Sequence, residues 1–454
     1  MPRRNLLVLL TLIFLALICQ QPALKNPYRR ALAAAMTLIE SRSLRPTEET
    51  ELFAAAIDGM LSRLDENSVY VTPDEVEAFE EELNLQFGGI GVQVAVDPQS
   101  KQLIVLSPLA GSPAYRAGVL AGDKIIRIGK KDTKGMSIEE AHALLRGNPG
   151  EAVTLTVVHE GQQETQEVTI TREVIQGESV LGDRRKADGS WTFTLEGHPG
   201  VGYVRIRTFT EETPAELERV LESLSKQGMR GLVLDLRDDP GGYVDAAVEI
   251  ARLFIEPGTI VTMRGRYGVV HRAYTANTAG PYSKLPIAVL VNQHSASAAE
   301  IVAACLQDHK RAVVVGQRSY GKGTVQEIID LGADCGEMKL TTFSYWRPNG
   351  QDIQRPADGE SKADWGVSPN EGYKVELTSE EFARWQLWRA HRDFFHGGMV
   401  LAKTPVETKS PVGKTTPEST ASEKGEAALV PPASFTDRPL QKAVEYVERV
   451  VVEK

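Results

Sequence analysis

The sequence predicts a multidomain α/β protein, and three observations support that prediction. Strands alternate with helices between residues 174 and 377, an order typical of a largely parallel sheet covered by helices. The strands in this stretch, such as 231–237 (GLVLDLR) and 286–292 (PIAVLVN), are continuous apolar runs, as expected for strands buried on both faces. The 454 residues are enough for two or three domains with full cores.

Composition narrows the class of protein. Hydrophobic residues make up 42% of the chain and charged residues 25%, which is ordinary for a soluble globular protein. The formal net charge of −10 and the lack of a basic aromatic stripe argue against nucleic acid as a partner. Three cysteines (Cys19, Cys305 and Cys335) cannot build a disulfide framework. Since no Cys/His cluster has zinc spacing, we expect no metal and no cofactor.

Residues 1–24 are predicted to be a signal peptide or an N-terminal membrane anchor. Arg3 and Arg4 precede an apolar run from Leu6 to Cys19, which is the pattern of an export signal. The run is shorter than the roughly 20 residues that span a bilayer. We therefore expect export to a bacterial-type periplasm or an extracytoplasmic membrane face. Membrane association through residues 6–19 is expected if the segment is retained.

Residues 25–86 are predicted to form a helical arm. The motif Thr72-Pro73-Asp74-Glu75 predicts a helix start, with Thr72 as the cap and Glu75 closing a capping box. The arm could pack on its own chain or on a second copy, so a homodimer is one of two expectations. The basis for packing is an apolar stripe at helical spacing, formed by Leu52, Phe53, Ala56, Ile57, Met60, Leu61 and Leu64.

Residues 87–173 are predicted to form a compact, β-rich domain. Gly88-Gly89-Ile90-Gly91 leads into the alternating strand GVQVAV, and a short helix is expected around residues 137–145. Two further strands are joined by a turn at Glu160-Gly161.

The rest of the chain follows the α/β stretch. The Pro-, Ser-, Thr- and Lys-rich composition near the C-terminus predicts a flexible linker, followed by an amphipathic helix. The predicted divisions after the β-rich domain are 174–377 (α/β core), 378–402 (helical extension), 403–435 (disordered linker) and 436–454 (C-terminal helix).

Ser297 is the candidate nucleophile. A strand ends near Asn292, a short loop follows, and a helix is predicted to begin near Ser297. The unpaired N–H groups and the dipole of a helix N-terminus favour negative charge, and small neighbours allow a substrate backbone to approach. Taken alone, the pattern fits an ordinary helix cap better.

The position of Lys322 favours a catalytic role for Ser297 over a simple helix cap. It lies 25 positions after Ser297 in a glycine loop that follows the next strand. Because loops at the carboxyl ends of parallel strands share one edge, we expect the two residues to lie close together. A desolvated lysine can act as the base for a serine hydroxyl, and Gln326 can orient its amine without adding charge. The alternative for Lys322 is a solvated loop lysine.

Backbone donors for an oxyanion are predicted in two places. The Ala298 N–H lies at the predicted helix start, directly after Ser297. Gly241 and Gly242 follow the strand GLVLDLR, where glycine lets the backbone approach a ligand closely. A simple turn between elements is compatible with the same residues.

These segments together carry a family resemblance. The set consists of DLRDDPGG at 235–242, VNQHSASAAEIVAACLQD at 291–308 and VVGQRSYGKGTVQ at 314–326. In order and spacing it resembles the carboxy-terminal processing (tail-specific) serine peptidases, over roughly residues 48–375. Each motif alone is weak, and the combination is specific.

The resemblance implies a serine endopeptidase that cleaves proteins near flexible C-terminal tails through an acyl-enzyme. It implies Ser297 as nucleophile, Lys322 as general base and Gln326 as the partner of the lysine. It further implies a core related to the crotonase and Clp protease folds, with residues 87–173 as an inserted PDZ domain. The implied oxyanion donors are Ala298 and either Gly241 or Gly242.

A PDZ domain would have its own recognition site. A glycine turn before a strand exposes N–H groups that can hold a terminal carboxylate while the peptide adds as a strand. The residues expected to bind peptide are Gly89, Ile90, Gly91, Val92 and, as a positive charge, Arg146.

Two alternatives stay open. A histidine-based hydrolase would use His294 or His271, although the sequence has no GxSxG motif. A latent or inactive scaffold of the same fold would use only the PDZ domain to recruit partners. Retention of serine, lysine and glutamine in register argues against the scaffold.

Overall fold

The computed structural model describes most of the chain. The predicted signal peptide or anchor (1–24) and nearly all of the predicted linker (403–435) lie outside the described residues. Among the helices that are described, none is both long and apolar enough to cross a membrane. The described ranges are 26–97, 100–109, 111–186, 189–332, 335–356, 364–393 and 435–453.

The secondary structure is mixed. The described α-helices are α1 (Pro27–Arg42), α2 (Glu49–Leu61), α3 (Pro73–Leu83), α4 (Pro113–Arg116), α5 (Ile138–Leu145), α6 (Thr213–Lys226), α7 (Val244–Arg252), α8 (Ala298–Asp308), α9 (Ser379–Asp393) and α10 (Arg438–Glu453). The described strands are β1 (Val69–Val71), β2 (Gln86–Gly89), β3 (Val92–Val96), β4 (Leu103–Pro108), β5 (Lys124–Ile128), β6 (Lys131–Asp132), β7 (Ala152–Val158), β8 (Gln166–Thr171), β9 (Glu173–Gln176), β10 (Val180–Leu181), β11 (Arg184–Arg185), β12 (Trp191–Thr192), β13 (Val201–Ile206), β14 (Gly231–Asp235), β15 (Gly258–Arg264), β16 (Val270–Ala276), β17 (Ile287–Val291), β18 (Ala312–Gly316), β19 (Thr324–Asp330) and β20 (Glu337–Trp346).

The chain divides into two compact units, and the smaller one comprises residues 1–76 with 326–341. In it, α1 and α2 contact each other, and β1 pairs antiparallel with the start of β20. The prediction of helices throughout the arm is therefore wrong at Val69-Tyr70-Val71. These β-branched and aromatic residues favour a strand, and they find a partner strand far along the chain, which a local pattern does not reveal.

The predicted helix start at Thr72 is confirmed. Helix α3 begins at Pro73, and the Glu75 carboxylate accepts hydrogen bonds from the Thr72 N–H (3.2 Å) and the Thr72 hydroxyl (2.8 Å). The predicted apolar stripe is only partly buried within this chain, since Leu61 is buried while Met60 and Leu64 are 50% and 61% exposed.

The second unit comprises residues 77–325 and 342–454, and it begins with a β-rich domain. An antiparallel sheet runs in the order β3-β4-β5-β7-β8, with β6 paired to β5. The hairpin β7–β8 pairs Ala152 with Thr171 and encloses the predicted turn at Glu160-Gly161. The domain has its own apolar core, which includes Leu103, Val105, Ala114, Ile125, Ala141, Leu155 and Val157.

A five-stranded sheet forms the centre of this second unit. Its order is β10-β13-β14-β17-β18, and all pairs except β10–β13 are parallel. Every residue of β14, β17 and β18 is buried. The continuous apolar runs predicted a sheet covered on both faces, because side chains on each face of such a sheet need apolar partners.

Different helices cover the two faces. Helices α6, α7 and α8 bury one face in the largest apolar core. The C-terminal helix α10 covers the other, where a Cβ added at Gly231 would lie 2.3 Å from Val447 Cγ1. That second core consists of Val201, Tyr203, Val233, Ala288, Leu290, Val313, Val315, Leu440, Ala443, Val444 and Val447.

A buried charge cluster fixes α10 at its first turn. The Arg237 guanidinium donates to Asp437 (2.8 and 2.9 Å) and to Asp235 (2.6 Å). The same guanidinium lies over the Trp385 ring, whose N–H donates to Asp437 (3.1 Å). Asp437 also accepts the Leu440 N–H (3.1 Å), so one carboxylate caps the helix and closes the ion pair.

Removing that carboxylate should destabilise the second unit. We expect Asp437→Ala to lower the free energy of unfolding by roughly 3–5 kcal/mol, because it leaves a buried guanidinium short of a partner. Chemical unfolding followed by circular dichroism measures the change. Glu445→Ala, at an exposed position of the same helix, should stay within about 0.5 kcal/mol of the parent. Equal losses in the two variants would contradict the role of the buried cluster.

Candidate active site

Three loops meet at one edge of the parallel sheet. Strands β14, β17 and β18 run side by side in the same direction, so the loops that follow them leave from one edge. The loops are bonded together, since the Ala296 N–H donates to the Asp239 carbonyl (2.9 Å) and the Tyr320 N–H donates to the Ser295 carbonyl (2.9 Å). They comprise residues 236–243, 292–297 and 317–323.

Ser297 occupies the cap position of α8. Its backbone has φ +55° and ψ −115°, in a region that L-residues rarely adopt and that costs of order 1–3 kcal/mol. The residue is only 6% exposed. An ordinary cap residue has extended backbone angles and needs no such conformation. The strain therefore favours a functional role for Ser297 over a simple cap.

A buried carboxylate joins the serine loop to the lysine loop. Glu300 Oε2 accepts the N–H groups of Ser297 and Lys322, both at 2.9 Å. Its other oxygen accepts the Gly321 N–H (2.7 Å) and the Ser319 hydroxyl. Burial raises the pKa of Glu300, and these hydrogen bonds oppose the rise. Ser297 and Lys322, which are far apart in sequence, are thus brought to the same carboxyl group.

The backbone around Lys322 is fixed by close contacts. A Cβ at Gly321, which has φ +83°, would lie 2.7 Å from the Trp365 ring. A Cβ at Gly323 would lie 2.4 Å from the Gln354 nitrogen, and the Gly323 N–H donates to Gln354 Oε1 (2.9 Å). Lys322 itself is half-buried. These contacts favour a positioned lysine over a solvated loop residue.

The candidate oxyanion donors differ in their hydrogen bonding. The N–H groups of Ala298 and Gly242 have no acceptor among the described residues. The Gly241 N–H, in contrast, donates to Asp239 Oδ1 (2.8 Å). A Cβ at Gly241 would lie 2.7 Å from Ser297 Cβ, so this turn packs against Ser297 and needs glycine there. The geometry leaves Ala298 and Gly242 as the amides open to a ligand.

Gln326 belongs to the smaller compact unit. Its side-chain amide donates to Thr341 Oγ1 (3.1 Å), and that hydroxyl donates to Asp65 Oδ1 (3.0 Å). Asp65 also accepts the Ser68 N–H (3.0 Å). The amide is therefore held in a fixed orientation within its own unit.

The sequence analysis missed two neighbours of Ser297. Glu300 could have been found from the sequence, since Ser297-Ala298-Ala299-Glu300 has the spacing of a capping box. No pattern in the sequence points to Tyr345. Its N–H donates to the Gly323 carbonyl (2.7 Å), and its hydroxyl lies within hydrogen-bonding reach of the Ser297 side chain. Burial raises the pKa of this phenol.

The histidines of the alternative mechanism make other contacts. The His294 ring packs 5.4 Å from the Phe382 ring, and its Nε2 pairs with the Gln293 side chain. The His271 ring stacks 4.3 Å from the Phe343 ring. These contacts favour structural roles for both histidines.

The predicted peptide-binding turn lies between β2 and β3. Gly89 ends β2 and Val92 begins β3, with buried Ile90 between them. Gly91 has φ +73°, and its carbonyl accepts the Ser112 hydroxyl (2.9 Å). The turn is thus tied to the segment before α4.

Arg146 lies next to the same strand. Its guanidinium sits 4.9 Å from the centre of the Phe87 ring, and the following Gly147 N–H donates to the Gly88 carbonyl (3.1 Å). The structure therefore brings a positive charge to the base of the predicted turn. Across the described ranges, no group of histidine, cysteine and acidic side chains could hold a metal ion.

Family models match two separate stretches of the chain. One described as peptidase family S41 matches residues 200–370, and one described as PDZ domain matches residues 104–158. Among solved structures, a photosystem II D1 C-terminal processing protease is 30% identical. The match covers 74% of this chain and 84% of that chain, with a TM-score of 0.43.

Curated relatives are similar over most of the chain. The chain is 36% identical over 311 residues to a carboxy-terminal-processing protease of Bartonella bacilliformis, a match that covers 68% of each chain. It is 34% identical over 371 residues to a carboxyl-terminal-processing protease of Synechocystis, covering 80% of each chain. With the S41 and PDZ matches, this similarity shows that the chain belongs to peptidase family S41, among the carboxy-terminal-processing proteases.

Proposed function

We propose that this chain is a serine endopeptidase that cleaves protein substrates near their C-terminal tails, with Ser297 as nucleophile and Lys322 as general base. The observation that carries the proposal is the shared Glu300 carboxylate, which binds the backbone amides of both residues at 2.9 Å. The substrate class comes from the names of the relatives, which are carboxy-terminal-processing proteases.

The proposed reaction passes through an acyl-enzyme. Ser297 Oγ attacks the scissile carbonyl carbon while Lys322 Nζ takes the hydroxyl proton. The C–N bond then breaks, and the lysine gives that proton to the leaving amine. A water activated by the same amine hydrolyses the ester. Ala298 and Gly242 are the proposed oxyanion donors, since the Gly241 N–H is already bound by Asp239.

Further assignments belong to the same proposal. Gln326, four residues after Lys322 in the chain, is proposed to orient the amine, as the family resemblance implies. The PDZ turn at residues 89–92, with Arg146, is proposed to hold a substrate tail by its carboxylate. The relation of the core to the crotonase and Clp protease folds stays a prediction. So do export through residues 1–24 and association of two copies through the helical arm.

The first prediction concerns the dyad. Ser297→Ala and Lys322→Ala should each lower kcat for cleavage of casein by the full chain by roughly 10³-fold or more, because neither half of a nucleophile–base pair works alone. Release of acid-soluble peptide measures the rate. Lys374→Ala, which removes an exposed lysine, should match the parent.

The variants also separate the alternatives. Cleavage that survives in Lys322→Ala but is lost in His294→Ala would move the base to histidine. A folded parent that cleaves no better than Ser297→Ala, even with a C-terminal tail peptide added, would favour the scaffold.

The second prediction is a pH dependence. Only the neutral amine of Lys322 can accept the serine proton, so kcat should rise with pH through the neutral range. Initial rates of peptide cleavage at constant ionic strength from pH 5 to 8 measure the profile. A flat profile would count against lysine as the base.

The third prediction concerns Glu300. Glu300→Gln places an amide where three backbone N–H groups and a hydroxyl need acceptors, so about 2 kcal/mol of stability should be lost. We expect kcat to fall about 10- to 100-fold because the serine and lysine loops are no longer held together. Glu222→Gln, at an exposed helix position, is the matched control for both the melting and kinetic measurements. A Glu300→Gln variant with parental kcat would contradict the proposal that this carboxylate positions the serine and lysine loops.

A further inference from the structure

Asp239 carries a buried carboxyl group that the proposed reaction does not use. The residue is fully buried, at 0% exposure. Its Oδ1 accepts the Gly241 N–H (2.8 Å), and its Oδ2 has no hydrogen-bond partner among the described residues. It forms no ion pair within those residues either. Burying a polar atom without a hydrogen-bond partner costs free energy, so we expect this carboxyl group beside the candidate site to have a role.

The turn that Asp239 begins is packed against the nucleophile. The Asp239 carbonyl accepts the Ala296 N–H (2.9 Å), one residue before Ser297. A Cβ at Gly241 would lie 2.7 Å from Ser297 Cβ and 2.9 Å from the Ala298 nitrogen. Any movement of this turn would therefore move a surface that touches both the nucleophile and an oxyanion donor.

Hydrogen bonds on both sides of Gly241 fix the direction of the next amide. The Gly241 carbonyl accepts the Phe209 N–H (2.9 Å) and the Thr208 hydroxyl (2.6 Å). In a trans peptide the following N–H points the opposite way, so the Gly242 N–H points away from Phe209. Asp239 holds the preceding Gly241 N–H. The Asp239 carboxyl group thus occupies the Gly241 N–H and leaves the Gly242 N–H open to a ligand.

The surroundings of Asp239 favour the uncharged acid. Burial raises the pKa of Asp239 well above its usual range, and the Gly241 hydrogen bond opposes that rise only in part. The charged neighbours in the loop are engaged elsewhere: Arg237 binds Asp235 and Asp437, and Asp238 accepts a hydrogen bond from Asn292. Burial away from water, with one donor and no cation nearby, disfavours the charged form of the carboxyl group and so raises its pKa.

We propose that Asp239 is a positioning residue of the oxyanion site, whose buried Oδ1 holds the Gly241 N–H so that the Gly242 N–H stays open to the oxyanion. This inference rests on the proposed function. Its consequence is that loss of the acceptor oxygen slows the chemical step and leaves substrate binding unchanged. An asparagine at this position keeps an acceptor oxygen for the Gly241 N–H.

The kinetic test compares Asp239→Asn and Asp239→Ala in the full chain with casein as substrate. Asp239→Asn, which keeps an acceptor for the Gly241 N–H, should keep kcat within about threefold of the parent. Asp239→Ala should lower kcat roughly 100-fold with little change in KM, because an oxyanion donor is misplaced while substrate binding is not. Asp74→Ala, which removes an exposed aspartate from helix α3, should keep the parental kcat and KM.

A second measurement does not depend on activity. A carboxyl group whose pKa is raised by folding stabilises the protein below its unfolded pKa of about 3.9, and that stabilisation is lost as pH rises toward the folded value. The melting temperature of the parent should therefore fall relative to that of Asp239→Asn between pH 5 and pH 9. A constant difference over this range would overturn the neutral acid, whether or not the chain cleaves casein.

The remaining outcomes also decide the matter. A loss of kcat in folded Asp239→Asn equal to that in Asp239→Ala would overturn the role of the acceptor oxygen. Parental kcat in a folded Asp239→Ala would overturn the positioning role. If Ser297→Ala cleaves as well as the parent, the proposed function fails, and the melting comparison still tests the charge state of Asp239.

Discussion

The parallel pairing of β14, β17 and β18 is the constraint on which the candidate site depends. Strands that run in one direction deliver their carboxyl ends to one edge, so three loops from distant parts of the chain meet there. The strands can pair in this way only because apolar layers cover both faces of the sheet. The proximity of the loops that carry Ser297 and Lys322 therefore depends on burial elsewhere in the unit.

At that edge, buried carboxyl groups hold the loops in place, and they differ in their hydrogen bonds and in the charges around them. Glu300 is buried but accepts four hydrogen bonds, from Ser297, Ser319, Gly321 and Lys322. Asp239 is equally buried but accepts one. Asp437 shares the Arg237 guanidinium with Asp235. The three carboxyl groups therefore differ in the number of their donors and in whether a cation is among them.

Much of the fold followed from patterns that are local in the sequence. Continuous apolar runs predicted β14 and β17, alternation and a glycine turn predicted the β7–β8 hairpin, and Thr72 with Glu75 predicted the start of α3. Local patterns failed where the partner is distant. Val69–Val71 forms a strand only because β20 is available to pair with it.

The same distinction applies to the site. Ser297, Lys322 and the glycine turn lie in recognisable segments, and the order of strands predicted that the serine and lysine loops share an edge. Tyr345 could not be found in this way, because its place beside Ser297 and Gly323 is set by tertiary packing. The hydrogen bond that commits the Gly241 amide to Asp239 is likewise a matter of backbone direction in a turn, which sequence spacing does not determine.

The position of α10 has a consequence for biosynthesis. The sheet is finished with β18, yet one of its faces is covered by a helix made from Arg438–Glu453, which leaves the ribosome much later. Until then Val233, Leu290 and Val315 face solvent, and Arg237 lacks one of its two carboxylates. A nascent chain therefore cannot complete its catalytic unit during translation of the core. Both faces of the central sheet are therefore covered only after that helix has been made.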